Sequence, residues 1–195
     1  MNRSEIIAFF NSRAAEWDAR MVRSDEKISC ILDAAGVHAG CCVLDVACGT
    51  GVLFPDYLAR GVSRVTGIDI SPEMARIAAS KLHDPRVEVI CGAAESGRLP
   101  RRYDCCVIYN AWPHFEHPEL LVRNLAAHLA PGGRLAVAHG MSLEALHRHH
   151  AGAARSVSRP MITTQEMTDL LSPYFSVDVT VSDEEKYIVA GEIKT

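Results

Sequence analysis

The 195 residues suffice for one domain with a sizeable core, at 48% hydrophobic and 23% charged, with a net charge of -4. No block of Lys and Arg stands out, so neither a nucleic acid nor an anionic membrane is an expected partner. No apolar run nears the roughly 18 residues of a spanning helix, and Asn2-Arg3-Ser4-Glu5 lacks a signal-peptide core, so a cytoplasmic location is expected.

Residues 1–20 place Ile6, Ile7, Phe9, Phe10, Ala14 and Trp17 at helical spacing. A second helix starts at the N-cap Ser24 and runs to Gly36. Residues 1–36 thus precede the first strand and suit either a lid over a ligand or packing on the sheet edge. Alternation then begins: strand Val43–Val46, helix Leu53–Arg60, strand Arg64–Asp69. Ser71-Pro72-Glu73 opens a helix carrying Met74, Ile77 and Ala78, with a cap, a proline at N1 and an acid in the first turn. Strands follow at Val87–Cys91 and Asp104–Tyr109, the latter apolar enough for a central parallel strand. A helix over Pro118–Ala130, a turn at Pro131-Gly132-Gly133 and a strand at Leu135–Ala138 come next. After a His-rich stretch over 139–150, a helix from Thr163 to Ser172 leads to a closing antiparallel pair, Phe175–Val181 and Lys186–Glu192. The fold expected is a doubly wound α/β three-layer sandwich, one domain over 1–195. Seven cysteines with no C-x-x-C spacing indicate neither a zinc knuckle nor a redox pair. Most sit in strands, where a thiol acts as a small apolar group.

The chemistry concentrates at Val43-Leu44-Asp45-Val46-Ala47-Cys48-Gly49-Thr50-Gly51. A buried strand runs into a turn of small residues, a helix follows, and Asp69 ends the next strand. That layout marks a nucleoside-cofactor site. A dinucleotide fingerprint wants its third glycine where Val52 stands. The turn therefore suits a compact, phosphate-free ligand, with Asp69 placed to accept ribose hydroxyl hydrogens.

These residues, with Gly67-Ile68-Asp69-Ile70-Ser71, Gly92-Ala93-Ala94-Glu95, Tyr103-Asp104 and Leu129-Ala130-Pro131-Gly132-Gly133-Arg134-Leu135, resemble the ordered motifs of class I S-adenosylmethionine-dependent methyltransferases. The likeness covers residues 10–192 and is nearest to small members of the ubiquinone/menaquinone-biosynthesis type. It implies a seven-stranded, mostly parallel sheet with the last strand antiparallel. It implies that Asp45, Ala47, Cys48, Gly49 and Gly51 hold the methionine end of the cofactor, and that Asp69 binds the ribose. Ile70 would pack on the adenine, Ala93, Ala94 and Glu95 would flank it, and Asn110 would face the sulfonium. Trp17 and Met74 join this cofactor-facing set. Two departures stand out: Ala93 replaces an acid common in the family, and Ala47 replaces a glycine.

The cofactor brings its own activation, so the protein mainly aligns the acceptor and excludes water. Tyr109-Asn110-Ala111-Trp112 is not the Asn/Asp-Pro-Pro-Tyr loop of many amino-group methyltransferases, which disfavours DNA adenine and protein glutamine targets. A small-molecule acceptor is expected, on a monomer or homodimer. His114, His139, His147, His149 and His150 cluster in the chain where an acceptor would sit. His114 and His139 are the candidate catalytic groups. His114, His139 and His150 are also a candidate ligand set for a divalent transition metal. A polar run and ordinary packing explain the same histidines equally simply. Trp17, Trp112 and Phe115 are candidate apolar walls, or core. Two rivals stand beside the methyltransferase reading: a non-catalytic cofactor sensor, and a nicotinamide oxidoreductase, which Val52 and the lack of a Tyr-x-x-x-Lys pair disfavour.

Overall fold

The structure, a computed structural model, describes residues 2–150, 152 and 154–194, with His150 described in its backbone alone. Its strands are β1 (Cys42–Val46), β2 (Arg64–Asp69), β3 (Val87–Cys91), β4 (Tyr103–Tyr109), β5 (Leu129–His139), β6 (Phe175–Ser182) and β7 (Tyr187–Ile193). Its helices are α1 (Arg3–Asn11), α2 (Trp17–Arg20), α3 (Asp25–Ala34), α4 (Phe54–Ala59), α5 (Pro72–Lys81), α6 (Pro118–His128), α7 (Leu143–His150) and α8 (Thr164–Leu171).

The seven strands form one sheet in the order β3-β2-β1-β4-β5-β7-β6. β7 runs antiparallel to both neighbours, and the remaining pairs are parallel. The expected topology is therefore the observed one. The chain winds from β1 outward to β3, then returns to the other side of β1 as β4. The carboxyl ends of β1 and β4 thus flank the switch point, where open α/β sheets bind ligands.

Side chains alternate across the sheet, and each face has its own core. Leu44, Val46, Ile108, Leu135, Val137 and Val189 pack with Leu121 and Leu125 of α6 and Met167 and Leu171 of α8. Val43, Val65, Val107, Ala136 and Ala138 pack with Ile28, Ile31 and Leu32 of α3 and Phe54 and Tyr57 of α4. Helix starts follow the polar residues before them. The Ser71 hydroxyl accepts from Met74 N at 3.2 Å to open α5, and capping boxes at Asn2/Glu5 and Thr163/Glu166 open α1 and α8.

Two expectations are corrected. The amino-terminal helix stops at Asn11, because the Ser12 hydroxyl and the Arg13 guanidinium both donate to Phe9 O, at 2.8 and 3.3 Å; a 3-10 turn, Ala14–Glu16, leads into α2. Pro131-Gly132-Gly133 does not separate α6 from the strand. It bulges within β5 between Leu129, opposite Tyr103, and Arg134, opposite Cys105, with Gly132 at φ +76°. Among the described residues, no helix is long and apolar enough to cross a membrane.

Candidate active site

The turn after β1 is built from left-handed residues. Ala47, Gly49 and Gly51 have φ of +55°, +55° and +75°. For Ala47 this costs about 1–2 kcal/mol relative to ordinary backbone, and strain of this kind concentrates at ligand sites. Cys48 N donates to Ile68 O at 3.1 Å and Gly51 N to Cys48 O at 2.9 Å, which pins the turn against the end of β2. A side chain on Gly51 would also lie 2.6 Å from the Phe54 ring.

Asp69 ends β2 facing this turn, 8% exposed. Each carboxylate oxygen takes one amide: Gly49 N reaches Oδ2 and Ser71 N reaches Oδ1, both at 2.8 Å. A carboxylate accepts about four hydrogen bonds, so each oxygen keeps capacity for a hydroxyl. Burial raises the Asp69 pKa, and the Ser71 and Gly49 amides partly offset it. Asp45, 2% exposed in β1, is pushed well above the usual carboxylate range by burial and then by the Asp69 charge. The Tyr57 phenol beside it opposes the shift without reaching hydrogen-bond geometry, and Asp45 Oδ2 has no hydrogen-bond partner among the described residues. Two neighbouring buried acids, one with an orphaned oxygen, suit a ligand that brings positive charge and N–H or O–H donors.

Residues 43–133 match the model of the methyltransferase domain family. Residues 43–133 are thus similar to a methyltransferase domain. Over 118 residues the chain is 34% identical to the ubiquinone biosynthesis O-methyltransferase of Xanthomonas euvesicatoria pv. vesicatoria, covering 56% of this chain and 46% of that protein. It therefore spans about half the length of that curated relative. In fold it is similar to the putative methyltransferase in complex with the Trm112 methyltransferase activator of Haloferax volcanii, with a TM-score of 0.81, 18% identity, and coverage of 95% of this chain and 98% of that one. It is also similar to magnesium protoporphyrin IX methyltransferase (ChlM) from Synechocystis with bound S-adenosylhomocysteine, at a TM-score of 0.74, 17% identity, and coverage of 98% and 99%.

Within the matched residues, the loop after β3 lies beside the end of β2. Gly92 N donates to Asp69 O at 2.8 Å, and Asn124 Nδ2 of α6 holds Ala94 O at 2.7 Å and Gly97 O at 3.0 Å. Ala93 and Glu95 are half-buried and Ala94 is buried. Ile70 packs with Phe9 and Phe10 of α1 and with Ala154 and Val157. Trp17 stacks edge-on against Phe10 at 5.7 Å, and its Nε1 lies 3.8 Å from where a Gly49 Cβ would be. Trp17 is thus beside the turn. Met74 is buried at 1% exposure, and its amide serves the Ser71 cap. Asn110 follows β4 at φ +55°; its Oδ1 accepts from Gly140 N at 3.0 Å, tying the ends of β4 and β5 together.

Among the described residues, no group of three or more His, Cys, Asp or Glu is arranged to hold a metal ion. His114 stacks edge-on against Phe10 at 4.9 Å, with Nδ1 at 2.9 Å from Val157 O and 3.2 Å from the Ser158 hydroxyl. A carbonyl only accepts, so Nδ1 carries a hydrogen. His139 is 1% exposed and lies edge-on to Tyr187 at 6.2 Å. His147 Nε2 meets Met161 O at 2.8 Å. The His150 side chain lies outside the described residues. Trp112 and Phe115 are buried in the core on the α6 side of the sheet, so packing accounts for both.

Sequence reasoning missed the residues that fasten the segment before β1 to the site. Asn11 Oδ1 accepts from the Ser71 hydroxyl at 2.7 Å and from Glu73 N at 3.2 Å. Asp18 accepts from the Thr50 hydroxyl at 2.5 Å and pairs with Lys81 at 2.5 Å. Arg23 reaches Val52 O at 3.2 Å and Asp56 at 2.5 Å. Polar residues in a helical stretch carry no local sign of so distant a partner.

Proposed function

We propose that the chain transfers the methyl group of S-adenosylmethionine to an oxygen of a small-molecule acceptor, leaving S-adenosylhomocysteine. The observation that carries this is the pair of buried acids at the strand ends: Asp69 gripped by the Gly49 and Ser71 amides, and Asp45 with an oxygen awaiting a donor. Bound S-adenosylmethionine supplies a methyl carbon already activated by a positively charged sulfur. Asp69 would accept from the ribose hydroxyls, Asp45 would offset the charge of the methionine end, and Ile70 would pack on the adenine. Ala47, Gly49 and Gly51 leave backbone room for this close approach. His114, held at Nδ1 by Val157 O, would take the proton from an acceptor hydroxyl. His139, more deeply buried, supports the end of β5. The oxygen acceptor is favoured by the O-methyltransferase named above.

Calorimetric titration with S-adenosylhomocysteine tests the cofactor site. The wild type binds, and Asp69→Ala binds at least about tenfold more weakly. Methyl transfer to a panel of phenols, catechols and carboxylic acids then tests the acceptor. His114→Gln lowers kcat for hydroxyl acceptors by about 10²–10⁴-fold and leaves cofactor affinity unchanged. Wild-type protein that binds NAD and not S-adenosylhomocysteine refutes the proposal. Binding without turnover of any acceptor returns the sensor reading.

A further inference from the structure

We infer that Asn11 is a positioning residue, which acts through Ser71 to hold Asp69 where the cofactor's ribose is met. This rests on the cofactor reading just proposed. Asn11 is the last residue of α1, half-buried, and its Oδ1 takes two donors from the start of α5. One is the hydroxyl of Ser71, which is fully buried, and the other is Glu73 N. Ser71 is the hub. Its Oγ caps α5 by accepting from Met74 N at 3.2 Å, and its own amide donates to Asp69 Oδ1 at 2.8 Å.

A serine hydroxyl has one hydrogen to give. With Asn11 receiving it, the Oγ lone pairs stay turned toward Met74 N, and the Ser71 backbone stays turned toward Asp69. Without that acceptor a buried O–H loses its partner and Glu73 N loses its cap. The hydroxyl then rotates toward another acceptor, and the Ser71–Asp69 register loosens. Gly49 N holds the opposite oxygen of the same carboxylate. Loss of one of two clamps lets the carboxylate pivot about the other.

The same segment also meets the turn from the other side. Asp18 binds Thr50, which stands between Gly49 and Gly51, and Trp17 lies over Gly49. Asn11 and Asp18 thus grip the two loops whose amides hold Asp69. Docking of the amino-terminal segment and ordering of the ribose site are therefore one event.

The test is calorimetric titration of the full chain with S-adenosylhomocysteine, with melting curves confirming that each variant folds. Asn11→Ala weakens binding about tenfold, in line with two part-buried hydrogen bonds and a lost cap. Asn11→Asp keeps an acceptor of the same shape and binds within about twofold of wild type, since an acid is also favourable at a helix start. In the Asp69→Ala background, Asn11→Ala adds no further loss, because the residue it positions is gone. Equal losses in Asn11→Ala and Asn11→Asp, or full additivity with Asp69→Ala, overturn the inference while leaving the cofactor reading intact. Wild-type protein that does not bind S-adenosylhomocysteine overturns both.

Discussion

A carboxyl group at 2% exposure has lost nearly all the hydration that stabilises its charge, and Asp45 has no basic partner to replace it. Burial first, and the Asp69 charge second, place its folded pKa well above the ordinary 3.8. The sign of the stability effect follows. Between 3.8 and the folded pKa the unfolded chain has released its proton while the folded chain keeps it, so each step up in pH favours unfolding. The contribution is fully favourable below 3.8 and is lost as pH rises through the folded pKa. Asp45→Asn removes the titration while keeping the shape. Its melting temperature should match wild type near pH 3.5 and exceed it by a growing margin above, about 2–4 °C for each kcal/mol relieved. Affinity for S-adenosylhomocysteine should fall in the same variant, because an amide cannot offset an ammonium. A margin that stays flat with pH would show that Asp45 is not ionised at a cost. A site acid that destabilises the empty protein is one held for its ligand.

At the level of elements, local rules read well where one residue decides the outcome. Ser71-Pro72-Glu73 opens α5 as expected, and the apolar run ending at Tyr109 is the central strand β4. They fail where a distant partner decides. The apolar spacing of residues 1–20 shows no break, yet Ser12 and Arg13 turn back onto Phe9 O and stop α1. Pro131-Gly132-Gly133 reads as a turn, but pairing of Leu129 with Tyr103 draws the strand past it. Asp69 and the glycine turn were legible because a strand end and a glycine carry their geometry locally. The roles of Asn11, Asp18 and Asn124 were not, because each acts on a loop at least 27 residues away. Gly191 also depends on a neighbour the local sequence does not show. It lies in β7 beside the register shift between Val177 and Val179 of β6, where a Cβ would meet Ser176 O at 2.6 Å and Val177 Cα at 2.8 Å. Both are backbone atoms in a paired strand, so the strands must part. Gly191→Ala should cost about 1–3 kcal/mol in chemical denaturation. Gly92→Ala, whose nearest contact is 3.9 Å, should stay within about 0.5 kcal/mol. Similar losses in the two variants would put the cost in backbone entropy rather than in strand spacing.

Across the whole molecule, the sheet carries the glycine turn and Asp69, and the chain before β1 is hydrogen-bonded to the loops beside them. We propose that residues 1–36 act as a lid over the cofactor. α1 docks through Ile6, Phe9 and Phe10 beside Ile70, Ala154 and Val157, through Phe10 on Trp17 and His114, and through Asn11 on Ser71 and Glu73. A helix of 9 residues is marginal in isolation, so these contacts decide whether it is formed and docked. Such a segment opens on its own, at far lower free energy than the sheet. A ligand that binds only the docked state stabilises it by about 2.7 kcal/mol at a hundredfold excess over Kd. Amide hydrogen exchange should therefore slow by about a hundredfold across Arg3–Asn11 when S-adenosylhomocysteine is added, in step with the amides of Gly49 and Ser71. The strand Phe175–Ser182, at the far edge of the sheet, should not change. Protection at Gly49 and Ser71 without protection of Arg3–Asn11 would mean that the cofactor binds beneath an indifferent amino-terminal segment, and that α1 merely packs on the edge of the fold.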